Sequence, residues 1–159
     1  MSKEPGRLST FTLVTKLLGG LFSPMNEELR RSFIEAWHSL PIAVRSAPAT
    51  EEQLRQFESS FGAIPEDFRW FLSTCGGGPV GSEWVDDIER LVESHRKFQC
   101  EWGPPCGWTM KGVFIIGWDG GGNPFGIEVS TGKVLVEDHD FGGIHQIAES
   151  FAAFLVQGL

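Results

Sequence analysis

The sequence predicts an α+β chain, with helices leading into an antiparallel β-meander that a last helical segment closes. Three observations predict it. Apolar residues recur at helical spacing behind recognisable caps between Pro24 and Cys75. From Val113 to Asp138 the period shortens to that of strands, with glycine-rich turns between them. The length, 159 residues, fits one domain with room for a short additional segment.

The stretch from Leu8 to Leu21 carries enough apolar residues for a helix that docks on the body or on a partner. Ser23 is a candidate cap and Pro24 suits a first helical position, so a helix is expected from about Pro24 to His38, with Met25, Leu29, Phe33 and Trp37 on one face. "PIAVRSAP" reads as a connector between Pro41 and Pro48. Thr50 followed by Gln53 is a capping box; Leu54, Phe57 and Phe61 form the stripe behind it, and Gly62 ends the helix. Pro65 starts the next, with Ile64, Phe68, Phe71, Leu72 and Cys75 on one side and Gly76 as its stop. The two form a helical hairpin over a shared apolar side. The glycines from Gly76 to Gly78 read as a loop, after which Asp86 or Asp87 caps a short helix carrying Ile88, Leu91 and Val92. "CEWGPPCGWTM" reads as irregular, since Pro104-Pro105 and two glycines exclude regular structure. "VFIIGW" is a strand covered on both faces, "FGIEV" alternates with Phe125, Ile127 and Val129 on one side, and "KVLVED" is a third strand. Ile144, Ile147, Ala148, Phe151 and Leu155 fall at the spacing of a closing helix. Residues 1–49 read as an N-terminal helical extension and 50–159 as the main domain.

Charge separates the same two parts. Residues 1–49 hold six Lys/Arg against four Asp/Glu, and residues 50–159 hold seven against seventeen, a net −10 within an overall −8. An acidic body argues against a nucleic-acid partner, whose backbone calls for a basic surface. It suits a basic protein partner, although acidic surfaces also serve solubility alone. Cys75, Cys100 and Cys106 are too few for a disulfide framework and read as free thiols of a cytoplasmic protein. The N-terminal apolar patch is broken by Thr15 and Lys16 and no small-residue cleavage site follows, so no signal peptide is expected; no run of about 18 apolar residues predicts a membrane span.

"GWDGGGNPFG", Gly117 to Gly126, invites a nucleotide reading. A P-loop requires a Lys followed by Ser or Thr and then a helix, and no Lys stands near Gly122. A dinucleotide fingerprint counted from Gly120 meets Phe125 at its sixth position, with a strand to follow. The glycines are therefore assigned to a hairpin turn that needs positive φ.

Three blocks resemble a known family. "IPEDFRWFLSTCGGG" resembles the LP-x-x-[YF]-R-x-[YF]-L…NGG signature of the SUKH superfamily, the family of the fungal cell-wall-assembly regulator (SMI/KNR type) and of many bacterial immunity proteins. "IIGWDGGGNPFGIEVSTGKVLVEDHD" is similar to its second block and "IAESFAAFL" to its closing helix; the three lie in order between Thr50 and Leu155. Cys75 stands where the family often has Asn, and neither residues 1–49 nor the loop from Cys100 to Trp108 belongs to the signature. The resemblance implies a mixed or antiparallel sheet flanked by helices. For many bacterial members it implies an immunity protein that binds and blocks a toxin domain, often a nuclease or deaminase. It carries over no catalytic residue and no cofactor.

His139 sits between Asp138 and Asp140, where a general base with carboxylate orienters could stand; with no nucleophile or metal motif beside it, a solvent-facing strand end fits better. His95, Cys100 and Cys106 are spaced too widely for a structural zinc site. Trp102 and Trp108 either fold back on the core or anchor an interface, and Asp119 caps the turn. The expected function is thus a non-enzymatic protein-binding domain that occludes a cognate toxin. Asp119, Asn123, Asp138, His139 and Asp140 form the expected face, with Trp102 and Trp108 as anchors. The alternatives are a regulatory scaffold without a toxin partner, and a small-ligand binder using the "EDHD" region.

Overall fold

A computed structural model describes residues 24–100 and 107–159. Trp102, Cys106, Ser23 and the helix expected over Leu8–Leu21 lie outside the described residues. Among the described residues are five α-helices: α1 (Glu27–Ser39), α2 (Glu51–Phe61), α3 (Glu66–Thr74), α4 (Ile88–Cys100) and α5 (Phe151–Val156). They pack with one six-stranded sheet: β1 (Gly78–Val80), β2 (Glu83–Val85), β3 (Val113–Trp118), β4 (Pro124–Glu128), β5 (Val134–Glu137) and β6 (Ile144–Ala148). Spatial order follows chain order, and every neighbouring pair is antiparallel.

Local chemistry explains most boundaries. Asn26, not Ser23, caps α1: its Oδ1 accepts from Leu29 N at 2.9 Å, so the helix starts at Glu27, three residues later than expected. Ahead of the cap, Met25 N donates to the Asp67 carboxylate of α3. The Thr50–Gln53 capping box is complete, and Gly62 follows α2. Arg69 of α3 reaches back to Glu58 at 3.0 Å and Glu51 at 2.7 Å, tying α3 to α2. Asp87 caps α4 by accepting from Arg90 N at 2.9 Å; the helix runs for 13 residues rather than a single short stretch.

Three expectations are corrected. The loop expected from the glycines at 76–78 gives way at Gly78 to the β1–β2 hairpin, whose three-residue strands are too short to show an alternating pattern. Residues 144–148 form strand β6 rather than the start of the last helix, because the hairpin turn through Gly142 and Gly143, both at positive φ, returns the chain onto β5. Ser150 then caps α5, accepting from Ala153 N at 3.0 Å. Val129 lies beyond the end of β4 and is exposed, although Phe125 and Ile127 are buried as expected.

One aromatic-rich core joins all of this. Trp37 of α1 meets Phe71 of α3 edge to face at 5.4 Å, and Phe68 meets Phe114 of β3 and Phe151 of α5 at 5.9 and 5.5 Å. Helix α1 therefore packs into the same core as the other helices and the sheet. Gly126 has to be glycine, because a Cβ there would stand 2.2 Å from the Phe114 carbonyl oxygen across the β3–β4 ladder. The ladder is irregular between Ile115 and Gly117, and the displaced carbonyls find partners on and beside α4: Asp86 N donates to Ile116 O, and His95 Nε2 donates to Ile115 O, each at 2.9 Å.

His95, weighed as a metal ligand from sequence, is thus a core residue. It is 5% exposed, packed on the rings of Phe57, Phe61 and Phe114, and burial holds its pKa below the usual histidine range. Since Ile115 O only accepts, the proton sits on Nε2. Cys75 is also buried, which pushes its thiol up to about 12 and leaves it unreactive at neutral pH.

Candidate functional site

The expected surface residues gather at one end of the sheet, where the β3–β4 turn and the β5–β6 turn lie side by side. Asp119 builds the first turn. Its Oδ1 accepts from Gly121 N at 2.9 Å and Asn123 N at 2.8 Å, while Oδ2 accepts from Asn123 Nδ2 at 3.0 Å. Of the three consecutive glycines only Gly122 adopts positive φ, +82°. Asn123 is buried and links the two turns: its Oδ1 accepts from His139 N at 2.9 Å and from His139 Nδ1 at 2.6 Å. That contact fixes a proton on Nδ1. His139 Nε2 stands 3.2 Å from Asp140 Oδ1, and a second proton there would convert the contact to an ion pair.

Asp138 shapes the tip of the second turn. Its Oδ1 accepts from Asp140 N at 2.8 Å and Phe141 N at 3.0 Å, and these bonds, the one from Phe141 first, hold its pKa below the usual carboxylate range. The tip then presents Phe141, 93% exposed, between Asp140 and the two glycines. Ile144 is half exposed where β6 begins, and β6 is an edge strand, paired on one side only.

Between these turns and α4 lies a cleft of about 430 Å³, walled by Trp108, Trp118 and His139 with Lys97 and Asp138 at its margin. Trp108 meets Trp118 at 5.8 Å and His139 at 5.9 Å, both edge to face. Glu137 fastens the segment that carries Trp108. Its buried carboxylate accepts from Thr109 N at 2.7 Å, from Thr109 Oγ1 at 2.6 Å and from Met110 N at 2.9 Å. Trp118 is held from behind, where its Nε1–H donates to Ser94 Oγ at 2.9 Å and Ser94 donates to the buried Asp86 at 2.5 Å. Burial raises the Asp86 carboxyl to about 6, against the lowering effect of the Ser94 bond. Lys97 Nζ sits 4.4 Å above the Trp118 ring, a cation–π contact.

Asp119, Asn123, Asp138, His139, Asp140 and Trp108 are thus brought together, though in two roles. Asp119 and Asn123 spend their polar atoms inside the turns, while His139 and Asp140 face outward. Among the described residues the side chain of His139 meets Asn123, Asp140 and Trp108, none of which carries a hydroxyl or thiol. No group of three or more His, Cys, Asp or Glu that could hold a metal occurs among the described residues. Sequence reasoning missed Phe141, Lys97 and Glu137. The i,i+3 distance from Ser94 to Lys97 on a helix could have signalled that both face one side, but nothing in sequence separates an exposed Phe from a core one.

The chain matches the SMI1 / KNR4 family (SUKH-1) over residues 48–157, more than half its length. No match among curated proteins is found.

Proposed function

The chain belongs to the SMI1 / KNR4 family (SUKH-1), and on that premise we propose that it is a non-enzymatic immunity protein that binds a cognate bacterial toxin, of nuclease or deaminase type, and occludes its active cleft. Family membership supports an immunity or regulatory protein-binding role in general. The observation that carries the finer reading is the β5–β6 tip, where Phe141 stands almost fully exposed between an acidic hairpin and an edge strand, within a region of net −10. Aromatic side chains presented this way serve as interface anchors, and acidic surroundings speed encounter with a basic cleft. In this reading Asp119 and Asn123 build the face, and Asp138, His139, Asp140 and Phe141 present it. Trp108 flanks it as an anchor, and Trp102 is the second anchor of this reading. Residues 1–49 are an extension whose helix α1 buttresses the 50–159 domain, and the protein works in the cytoplasm.

The test is a rescue assay. The C-terminal domain encoded by the neighbouring upstream gene is expressed in a bacterial host with and without this protein. Death without it and survival with it is the expected result. Toxicity that this protein leaves unrelieved would overturn the immunity reading in favour of a regulatory role.

A further inference from the structure

We infer that the cleft walled by Trp108, Trp118 and His139 binds a small planar carboxylate, its ring against the aromatic walls and its anionic group on Lys97 and the Trp108 indole N–H. This goes beyond the protein-binding reading and does not rest on it.

Lys97 makes no ion pair among the described residues; its recorded contact is with the face of Trp118. Trp108 Nε1 is buried and has no hydrogen-bond partner among the described residues. A buried donor left unmade costs about 1–3 kcal/mol, which an acceptor able to reach it would recover. Most carboxylate oxygens nearby are committed elsewhere, Asp138 Oδ2 being the exception among the described lining residues. Glu137 is taken by Thr109 and Met110, Asp119 by its own turn, and Asp138 Oδ1 by the amides of Asp140 and Phe141. The cleft is therefore lined by a cation with no ion pair among the described residues and by the aromatic faces of Trp108 and Trp118, with the unmade Trp108 N–H buried in that wall. A cationic ligand would compete with Lys97 for Trp118 and leave the Trp108 donor unmet. A purely apolar one would satisfy neither group.

The walls are also set in advance, which favours binding without reorganisation. Trp118 is pinned by Ser94 and Asp86, Trp108 is carried by the segment that Glu137 fastens, and the His139 ring is fixed by Asn123. A volume of about 430 Å³ accommodates a molecule of one or two rings.

The test follows the tryptophan indole N–H resonances of the full ¹⁵N-labelled chain while benzoate or indole-3-acetate is added. Benzyl alcohol and benzylamine serve as neutral and cationic controls. Saturable shifts of the Trp108 and Trp118 signals by the two carboxylates are expected, with Kd at or below ~1 mM for such small probes. The controls should bind at least about tenfold more weakly, and added salt should weaken the carboxylates alone. Lys97→Met keeps the stem over Trp118 and removes the charge; Trp108→Phe keeps a ring and removes the donor. Each should weaken carboxylate binding about five- to tenfold. Benzylamine binding as tightly as benzoate would overturn the inference, as would the absence of any saturable shift by ~10 mM carboxylate. Unchanged affinity in Lys97→Met, a half-buried position whose loss leaves the core intact, would overturn it equally.

Discussion

His95 and His139 both sit among aromatic rings, yet they live in opposite surroundings. His95 is 5% exposed, ringed by phenylalanines, and gives its proton to a backbone carbonyl freed by an irregular strand. The His139 side chain is 45% exposed, anchored through Nδ1 and flanked by Asp138 and Asp140. The first is a neutral polar residue absorbed into packing. The second is positioned by Asn123 while its outer nitrogen stays at the surface. In one region the polar groups are consumed by the fold, and in the other the fold spends some polar groups to present others. Substitutions should separate the two sharply.

The largest effect is expected in the core. Phe57→Ala removes a ring that packs on Phe61, His95 and Phe114 and should cost about 3–5 kcal/mol, read from the urea midpoint. A loss under ~1 kcal/mol would mean that the His95 cluster is not a packed core at all.

Next comes Glu137, which is buried beside the cleft. Glu137→Gln exchanges a charged acceptor for an amide whose NH₂ faces other donors, at a cost of about 2 kcal/mol. The Trp108 indole resonance should shift with it, since Glu137 fastens the segment that carries that ring.

The pH dependence sharpens the contrast further, because two buried groups act with opposite sign. Asp86 keeps its proton up to about 6 in the folded protein, whereas the unfolded chain releases it near the ordinary carboxylate value. The folded state binds more protons between those limits, so this contribution to stability falls as pH rises through about 4 to 6. His95 stays neutral when folded. Its contribution is complete above the ordinary histidine value and is lost as pH falls below about 6.5. Asp86→Asn should remove only the first slope. Wild type should therefore lose on the order of 2–3 kcal/mol relative to the variant between pH 4 and 7, by chemical denaturation at each pH. A constant difference across that range would show that Asp86 is not buried in its charged form.

The smallest effect on stability belongs to the tip. Phe141→Ala removes a side chain with almost no contacts and should change stability by no more than about 0.5 kcal/mol. A large loss would place Phe141 inside the fold rather than at an interface.

Much of the helical half could be read from sequence because its signals are local and redundant. The Thr50–Gln53 box, the stripes of α2 and α3 and the Asp119 turn each rest on contacts within a few residues. What failed was decided by distant partners. Ile144, Ile147 and Ala148 satisfy helical spacing, yet Gly142 and Gly143 return the chain to β5 and Ser150 starts the helix only afterwards. As an exposed edge strand, β6 lacks the alternation that would have identified it. The role of His95 depends on a carbonyl 20 residues away, freed by the β3–β4 irregularity. Sequence named Asp119, Asn123, Asp138, His139, Asp140 and Trp108 but not Phe141, Lys97 or Glu137, and it could not divide them into builders and presenters, because that division lies in which oxygen of Asp119, Asn123 or Asp138 is already bonded.

The central claim, that the β5–β6 tip is the surface that neutralises a toxin, is tested most directly by titrating the toxic domain against wild type and against Asp140→Lys/Phe141→Ala. Both substitutions lie at exposed positions and leave the core untouched. The expected result is at least a hundredfold weaker binding, on the order of 3 kcal/mol for an aromatic anchor and its charged neighbour together, with loss of rescue at unchanged stability. Equal affinity and full rescue by the double variant would contradict the assignment and move the interface to another face.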